Sequence, residues 1–417
     1  MNSAVKQRIA DIQRGDVPAG YQKTKLGIIP ADWGTPELNS VLTENKERNR
    51  SGRFGKEDVL SVSGEFGVTN QIELLGRSFA GASVKDYHIV EAGNIVYTKS
   101  PLKENPYGII KLNKGSAGIV STLYAVYNCK TPVTGLYLDY YFSLDQNVNN
   151  YLRPLVRKGT KNDMKINNED VLKGCVILPP ESEIAKIVEI LGCCDRMIAL
   201  KKELIAEKKK QKKALMQKLL NPDSGFRLPV IREKITQVHF NDICRFINGR
   251  AYSQDELLET GKYRVLRVGN LFTSDTWYFS NLELPNDKYC QKGDLLYAWS
   301  ASFGPFIWQG DTTIYHYHIW KVEPCEHVDK MFLYHCLKYD AELLENSIQG
   351  GTMSHITKET MERRLCPFVD NLDLQKNIAD ILSTADKEID LLEQELVQQE
   401  QKKKSLMQLL LTGIVRV

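Results

Sequence analysis

The sequence predicts an α+β protein: two globular mixed α/β domains separated by two long antiparallel coiled-coil helices, related by a pseudo-twofold axis and a circular repeat. Three observations carry this. Residues 186–220 align without a gap on residues 377–411, at an offset of 191 and with 13 identities in 35 positions. Both copies show a seven-residue apolar rhythm, the mark of a coiled-coil seam. Before each copy lies a strand-like stretch of about 150 residues, a normal domain length, and the two stretches echo one another faintly.

Composition bounds the function classes. The 417 residues are 42% apolar and 26% charged, values of an ordinary folded chain rather than a disordered or membrane one. No run reaches the ~18 apolar residues of a membrane span, and the first residues lack the apolar core of a secretory signal, so a cytoplasmic location is expected. Nine cysteines, two of them adjacent at Cys193 and Cys194, form neither a disulfide framework nor a CxxC pair, and no metal site is expected.

Taken in order, residues 1–30 form a lead-in that closes the repeat, and residues 31–180 form the first globular domain. Residues 181–221 form the central helix, beginning after "LPPESE" and ending at Asn221-Pro222. Its seam contains Ile187, Leu191, Ile198, Leu215 and Leu219. Residues 222–371 form the second domain, in which "QKGDLLYAWS" answers "EAGNIVYTKS" of the first, "VLRVGN" answers "VLSVSG", and "GGTMSHI" answers "KGTKNDMKI". Residues 372–417 carry the second helix, with Ile378, Leu382, Ile389, Leu396, Leu406 and Leu410 on its seam and Thr412-Gly413 as its stop. Forty helical residues span about 60 Å. Lys212 and Lys403 interrupt the two seams at equivalent places, a polar choice that fixes register at some cost in stability. The continuation missing after "TGIVRV" resembles "TKLGIIPADW" near the N-terminus, so the repeat closes on itself.

Catalytic motifs are not found. "ILPPES" shares only its two prolines with the Pro-Pro-aromatic motif of adenine methyltransferases, and there is no GxxxxGK[ST] phosphate loop. Pro222-Asp223 lacks the acid-x-lysine of a nuclease. His316 and His318 alternate in "IYHYHIW" and would share one face of a strand, but no Cys or carboxylate at ligand spacing completes a metal set, and a strand packing its aromatics is the better reading.

Binding candidates come from local charge, because 55 basic and 52 acidic residues nearly cancel. The loop 44–56 offers Lys46, Arg48, Arg50 and Arg53; Lys99 follows, and residues 153–165 add Arg157, Lys158, Thr160, Lys161 and Asn162. Counterparts in the second domain are Arg250, Arg267, Asn270, Ser300, Ser354 and His355. Lysine and arginine attract phosphates, while Arg, Asn, Ser and Thr read base edges. Seven lysines between 201 and 213 read first as a solvated helix face, with contact to phosphates as the sharper alternative.

The motifs together resemble the specificity subunit of Type I restriction-modification enzymes. These are the helix ends "KKALMQKLLN" and "KKSLMQLLLTG", the lead-in "KTKLGIIPADW", and the helix starts "LPP…IAKIVEIL" and "QKNIADILSTADKEIDLLE". One departure is that "KITQVHFNDICRF" lacks a counterpart of Trp33. The resemblance implies a subunit with no catalytic residue and no cofactor of its own. Its two target recognition domains would each bind one half of a split, asymmetric DNA sequence. Its helices would set the spacing near one DNA turn, ~34–36 Å, and dock two adenine-N6 methyltransferase subunits. Translocating restriction subunits would join for cleavage, with S-adenosylmethionine, ATP and Mg on those partners. Two alternatives remain at this point: the recognition subunit of a fused methyltransferase-nuclease system, and a coiled-coil scaffold that touches no DNA.

Overall fold

The runs "IVYT" and "YAVYNC" are short, β-branched and aromatic, a composition that favours buried strands over helices, and they form the centre of a sheet. The computed structural model describes residues 3–158, 164–222, 235–300, 302–347 and 356–417. The chain divides into two units, Met1–Leu200 with Leu396–Val417, and Lys201–Glu395.

The strands that frame the globular domain of the first unit are β1 (Leu42–Glu44), β2 (Leu60–Ser63), β3 (Gly67–Asn70), β4 (His88–Val90), β5 (Ile95–Thr98), β6 (Ile109–Leu112), β7 (Gly118–Val120) and β8 (Tyr124–Cys129). An antiparallel sheet has the order β1-β8-β5-β6, and helix α1 (Pro132–Phe142) covers it. Two further antiparallel pairs, β2-β3 and β4-β7, are joined by a parallel bridge from Val59 to Ile119. Tyr97, Tyr127, Tyr137 and Phe142 are fully buried in this core. Gly108 enters β6 at φ +93°, where a Cβ would lie 2.0 Å from the Thr98 carbonyl oxygen, so only glycine fits there.

The second unit repeats the frame with β9 (Thr236–His239), β10 (Cys244–Asn248), β11 (Tyr263–Leu266), β12 (Tyr278–Ser280), β13 (Tyr289–Cys290), β14 (Leu295–Ser300), β15 (Ser302–Ile307), β16 (Thr313–Tyr315) and β17 (Ile319–Pro324). One sheet has the order β10-β17-β14-β15, matching β1-β8-β5-β6 strand for strand. The other has the order β12-β11-β16-β13, with Val265 paired in parallel to Ile314 as Val59 is to Ile119. The echoing sequences at 91–100 and 291–300 are thus the equivalent central strands β5 and β14. In each unit the lead-in pairs antiparallel with the segment before the following long helix: Gly34 with Leu178 in the first, and β9 with Leu365–Phe368 in the second.

The long helices are α2 (Glu181–Leu220) and α3 (Leu372–Leu411), ending where the breakers stand. Within the first unit Lys403 of α3 meets Asp195 of α2 at 2.5 Å. Within the second, Lys201, Lys209 and Lys212 of α2 meet Glu395, Glu393 and Asp386 of α3, so partner numbers fall as α2 advances and the segments are antiparallel. Ile187, Leu191 and Leu410 are buried in the first unit's core, and Leu219, Ile378 and Leu382 in the second's. Ile389 is also buried, whereas Ile198, Leu215, Leu396 and Leu406 are half-buried.

Both ends of the chain meet in the first unit. The Tyr21 hydroxyl donates to the Gly413 carbonyl at 2.7 Å, and the Arg416 guanidinium grips both Asp32 and Glu183. The Trp33 indole donates to the same Glu183 at 2.8 Å. Leu374 occupies the place of Glu183 in the second copy and is buried, so the carboxylate that receives the Trp33 indole is not repeated at that position.

Candidate nucleic-acid interface

A cation already held by a carboxylate must leave it before it can hold a phosphate, so the partners of each basic candidate decide its availability. In the first unit Lys46 sits 2.7 Å from Glu169 and 3.5 Å from Glu44. Arg53 pairs with Glu91 at 2.5 Å and lies over the Phe54 ring. Arg48 donates to the Asp86 carbonyl at 2.8 Å, which fixes the loop beside β4. Lys99 donates to the Ile166 carbonyl and to Asn168 Oδ1, and burial lowers its pKa. It braces the chain after α1 rather than facing solvent freely. Arg50 and Arg157 are exposed and make no ion pair with described residues. Arg157 lines a broad cleft with Ile166, Asn167 and Lys173. Thr160, Lys161 and Asn162 lie outside the described residues, as does the side chain of Lys158.

In the second unit Arg250 makes a two-point pair with Glu256, at 2.7 and 2.8 Å, and holds that carboxyl down to about 2. Asn270 is consumed by its own turn. It accepts from the Arg267 amide at 3.1 Å and donates to the Ser274 and Thr276 carbonyls. Arg267 is exposed, has no carboxylate partner among the described residues, and lies 5.2 Å from the Tyr278 ring centre. Ser300 is half-buried at the end of β14, opposite Ser302. Ser354 and His355 lie outside the described residues.

The two histidines require a correction. His316 and His318 do not share a strand: β16 stops at Tyr315, β17 begins at Ile319, and residues 316–318 form the turn between them. The Ile319 amide closes that turn on the His316 carbonyl at 2.9 Å, while the Arg250 carbonyl and the Trp299 indole hold Tyr317 from either side. The imidazoles are nevertheless 4.8 Å apart between ring centres. Burial lowers the pKa of His316 to about 4 and also lowers that of His318, so both are neutral at pH 7. No group of three or more potential metal ligands occurs among the described residues. With Arg267 and Tyr278 these rings border a recess of about 380 Å³. Reasoning from the sequence missed this grouping, although the aromatic density of "YAWS" and "IYHYHIW" signalled it.

The lysine run of α2 is largely matched by acids of α3. Lys201, Lys208, Lys209 and Lys212 each meet a carboxylate there. No helix among the described residues is long and apolar enough to cross a membrane.

Comparison with known proteins agrees with this frame. Residues 232–401 match the family described as Type I restriction modification DNA specificity domain. The chain is 24% identical to the type I restriction enzyme MjaX specificity subunit of Methanocaldococcus jannaschii, over 95% of this chain and 97% of that one. It is 26% identical to the MjaVIII specificity subunit of the same organism, over 58% of this chain and 62% of the other. Among solved structures, the fold is similar to the type I restriction-modification S subunit of M. genitalium, with TM-score 0.54, 15% identity and coverage of 91% and 96%. It is also similar to a chain from work on assembly and conformational transition of the type I R-M system, with TM-score 0.57, 16% identity and coverage of 93% and 99%. Two like-built α+β units, a repeated pair of long helices and these similarities agree: residues 232–401 match the type I specificity domain, and nearly the whole chain is similar to type I restriction-modification specificity subunits.

Proposed function

We propose that this chain is a specificity subunit that reads a two-part, asymmetric DNA sequence, one half with each globular domain, and that it carries two adenine-N6 methyltransferase subunits and restriction subunits in a cytoplasmic complex. The observation that supports it is the shared strand order of the two units together with their unlike polar surfaces. Among the described cations singled out in the sequence, Arg50 and Arg157 are open in one unit, and Arg267 beside an aromatic turn is open in the other. Like frames with unlike surfaces suit unlike half-sites. In this reading α2 and α3 set the number of unread base pairs, and the chain supplies recognition without catalysis. S-adenosylmethionine, ATP and Mg belong to the partner subunits.

Sequencing modified adenines in DNA exposed to the assembled complex tests the proposal. A motif of two different blocks with a fixed gap is expected, and an uninterrupted palindrome would refute it. Binding to duplex DNA should weaken as salt rises, because phosphate contacts release counterions. Binding that is absent or flat with salt would favour a protein scaffold instead.

A further inference from the structure

We infer that the recess between Arg267, Tyr278, His316 and His318 in the second unit is a guanine-reading site for one half of the DNA target. The inference rests on the DNA-reading role proposed above and names the residues and the base.

Availability is the first argument. Arg250 is neutralised by Glu256 and Asn270 is spent on its turn, whereas Arg267 is exposed, and no carboxylate lines the recess it borders. Its guanidinium is also oriented. Arg267 immediately precedes the short helix Val268–Phe272, its amide is held by Asn270, and the Tyr278 ring 5.2 Å away restricts the side chain. A restricted planar fork loses little entropy when it forms two parallel hydrogen bonds, the pattern that guanine O6 and N7 offer in the major groove.

The opposite wall is equally fixed. The His316 amide donates to the Leu266 carbonyl at 2.9 Å, and the Tyr317 amide to the Arg250 carbonyl at 3.0 Å. The Trp299 ring meets His318 edge-on at 5.0 Å and stacks on Trp320 at 5.6 Å, which stacks in turn on Tyr297 at 5.9 Å. The turn is therefore anchored through an aromatic ladder reaching the buried core. Neutral imidazoles carry one donor and one acceptor nitrogen each, so they complement base edges rather than adding another phosphate-seeking charge. A recess of about 380 Å³ with an oriented guanidinium on one side and such rings on the other fits the edge of a base pair. Asn270 acts here as a positioning residue.

The test uses the assembled complex and a library of randomised duplexes, with R267K, R267A, H318A and N270A each compared with the unaltered chain. R267K keeps the charge but loses the fork. It should lower the preference for guanine at one position of one half-site roughly ten- to a hundredfold and leave the other half-site unchanged. H318A should weaken selection at the same or the adjacent position, and N270A should blur that position without shifting it. Loss spread evenly over all sequences in R267A, with the salt slope reduced by about one, would assign Arg267 to a phosphate and overturn the inference. So would a selected motif unaltered by both R267K and H318A. A different failure, no two-part motif from the unaltered chain, would strike the proposed function instead.

Discussion

Lys403 lies 2.5 Å from Asp195, and the same two places in the other copy of the repeat are filled by Lys212 and Asp386, which also pair. The seam lysines noted in the sequence are thus the cationic halves of two equivalent cross-helix pairs. Each domain adds its own third party. The Tyr140 hydroxyl of α1 donates to Asp195 at 2.7 Å in one unit, and Lys338 approaches Asp386 to 3.3 Å in the other.

The two pairs differ in burial, so they should differ in worth. Asp386→Ala strands Lys212, which is 7% exposed, together with Lys338, and should cost about 3 kcal/mol. Asp195→Ala removes a more open pair and should cost about 1 kcal/mol. Urea unfolding of the two variants checks this; equal losses would contradict it.

Arg416 ties the chain's end to its beginning. Burial alone would raise the pKa of Glu183, but Arg416 and the Trp33 indole outweigh it and hold it below the usual value. That stabilisation is present above the ordinary glutamate pKa and is lost as pH falls through the lower folded one. Arg416→Ala should cost about 2 kcal/mol and speed amide exchange in Tyr21–Thr24 and Gly27–Pro30. Unchanged exchange in those strands would show that the contact contributes nothing to closure.

His88, the first residue of β4, is 1% exposed and bridges to Arg48, and burial, reinforced by Arg48, lowers its pKa to about 4. The unfolded chain takes up this proton near pH 6.5 and the folded chain only near 4, so stability should fall as pH drops through that window, by up to about 3 kcal/mol. Thermal unfolding of His88→Gln should show a shallower decline between those limits. An identical slope in the variant would remove His88 as a source of acid sensitivity.

What the sequence made legible was repetition and periodicity. The ends of α2 and α3 fall at Leu220 and Leu411 because the breakers after them are local signals, and β5 and β14 coincide with the echoing segments. Availability of individual cations was not legible. Arg53 meets Glu91 and Lys46 meets Glu169, partners 38 and 123 positions away that only the fold brings close. Arg250 and Glu256 are six apart, near enough to be suspected, yet alternation alone says nothing of a side-chain fork. The same limit hid the 316–318 turn. Its alternating aromatics suit a strand, and the bend depends on a hydrogen bond to the Arg250 carbonyl and one from the Trp299 indole, both remote in sequence.

The most direct test lengthens both helices at once. Seven residues inserted between Leu200 and Lys201, and seven between Glu395 and Leu396, keep the seam in register and add about 10 Å of helix, or about three base pairs. Sequencing of modified adenines should then return the same two half-sites with a gap longer by about that amount. A gap that stays the same in an active complex, or a motif with no gap in either protein, would contradict the account.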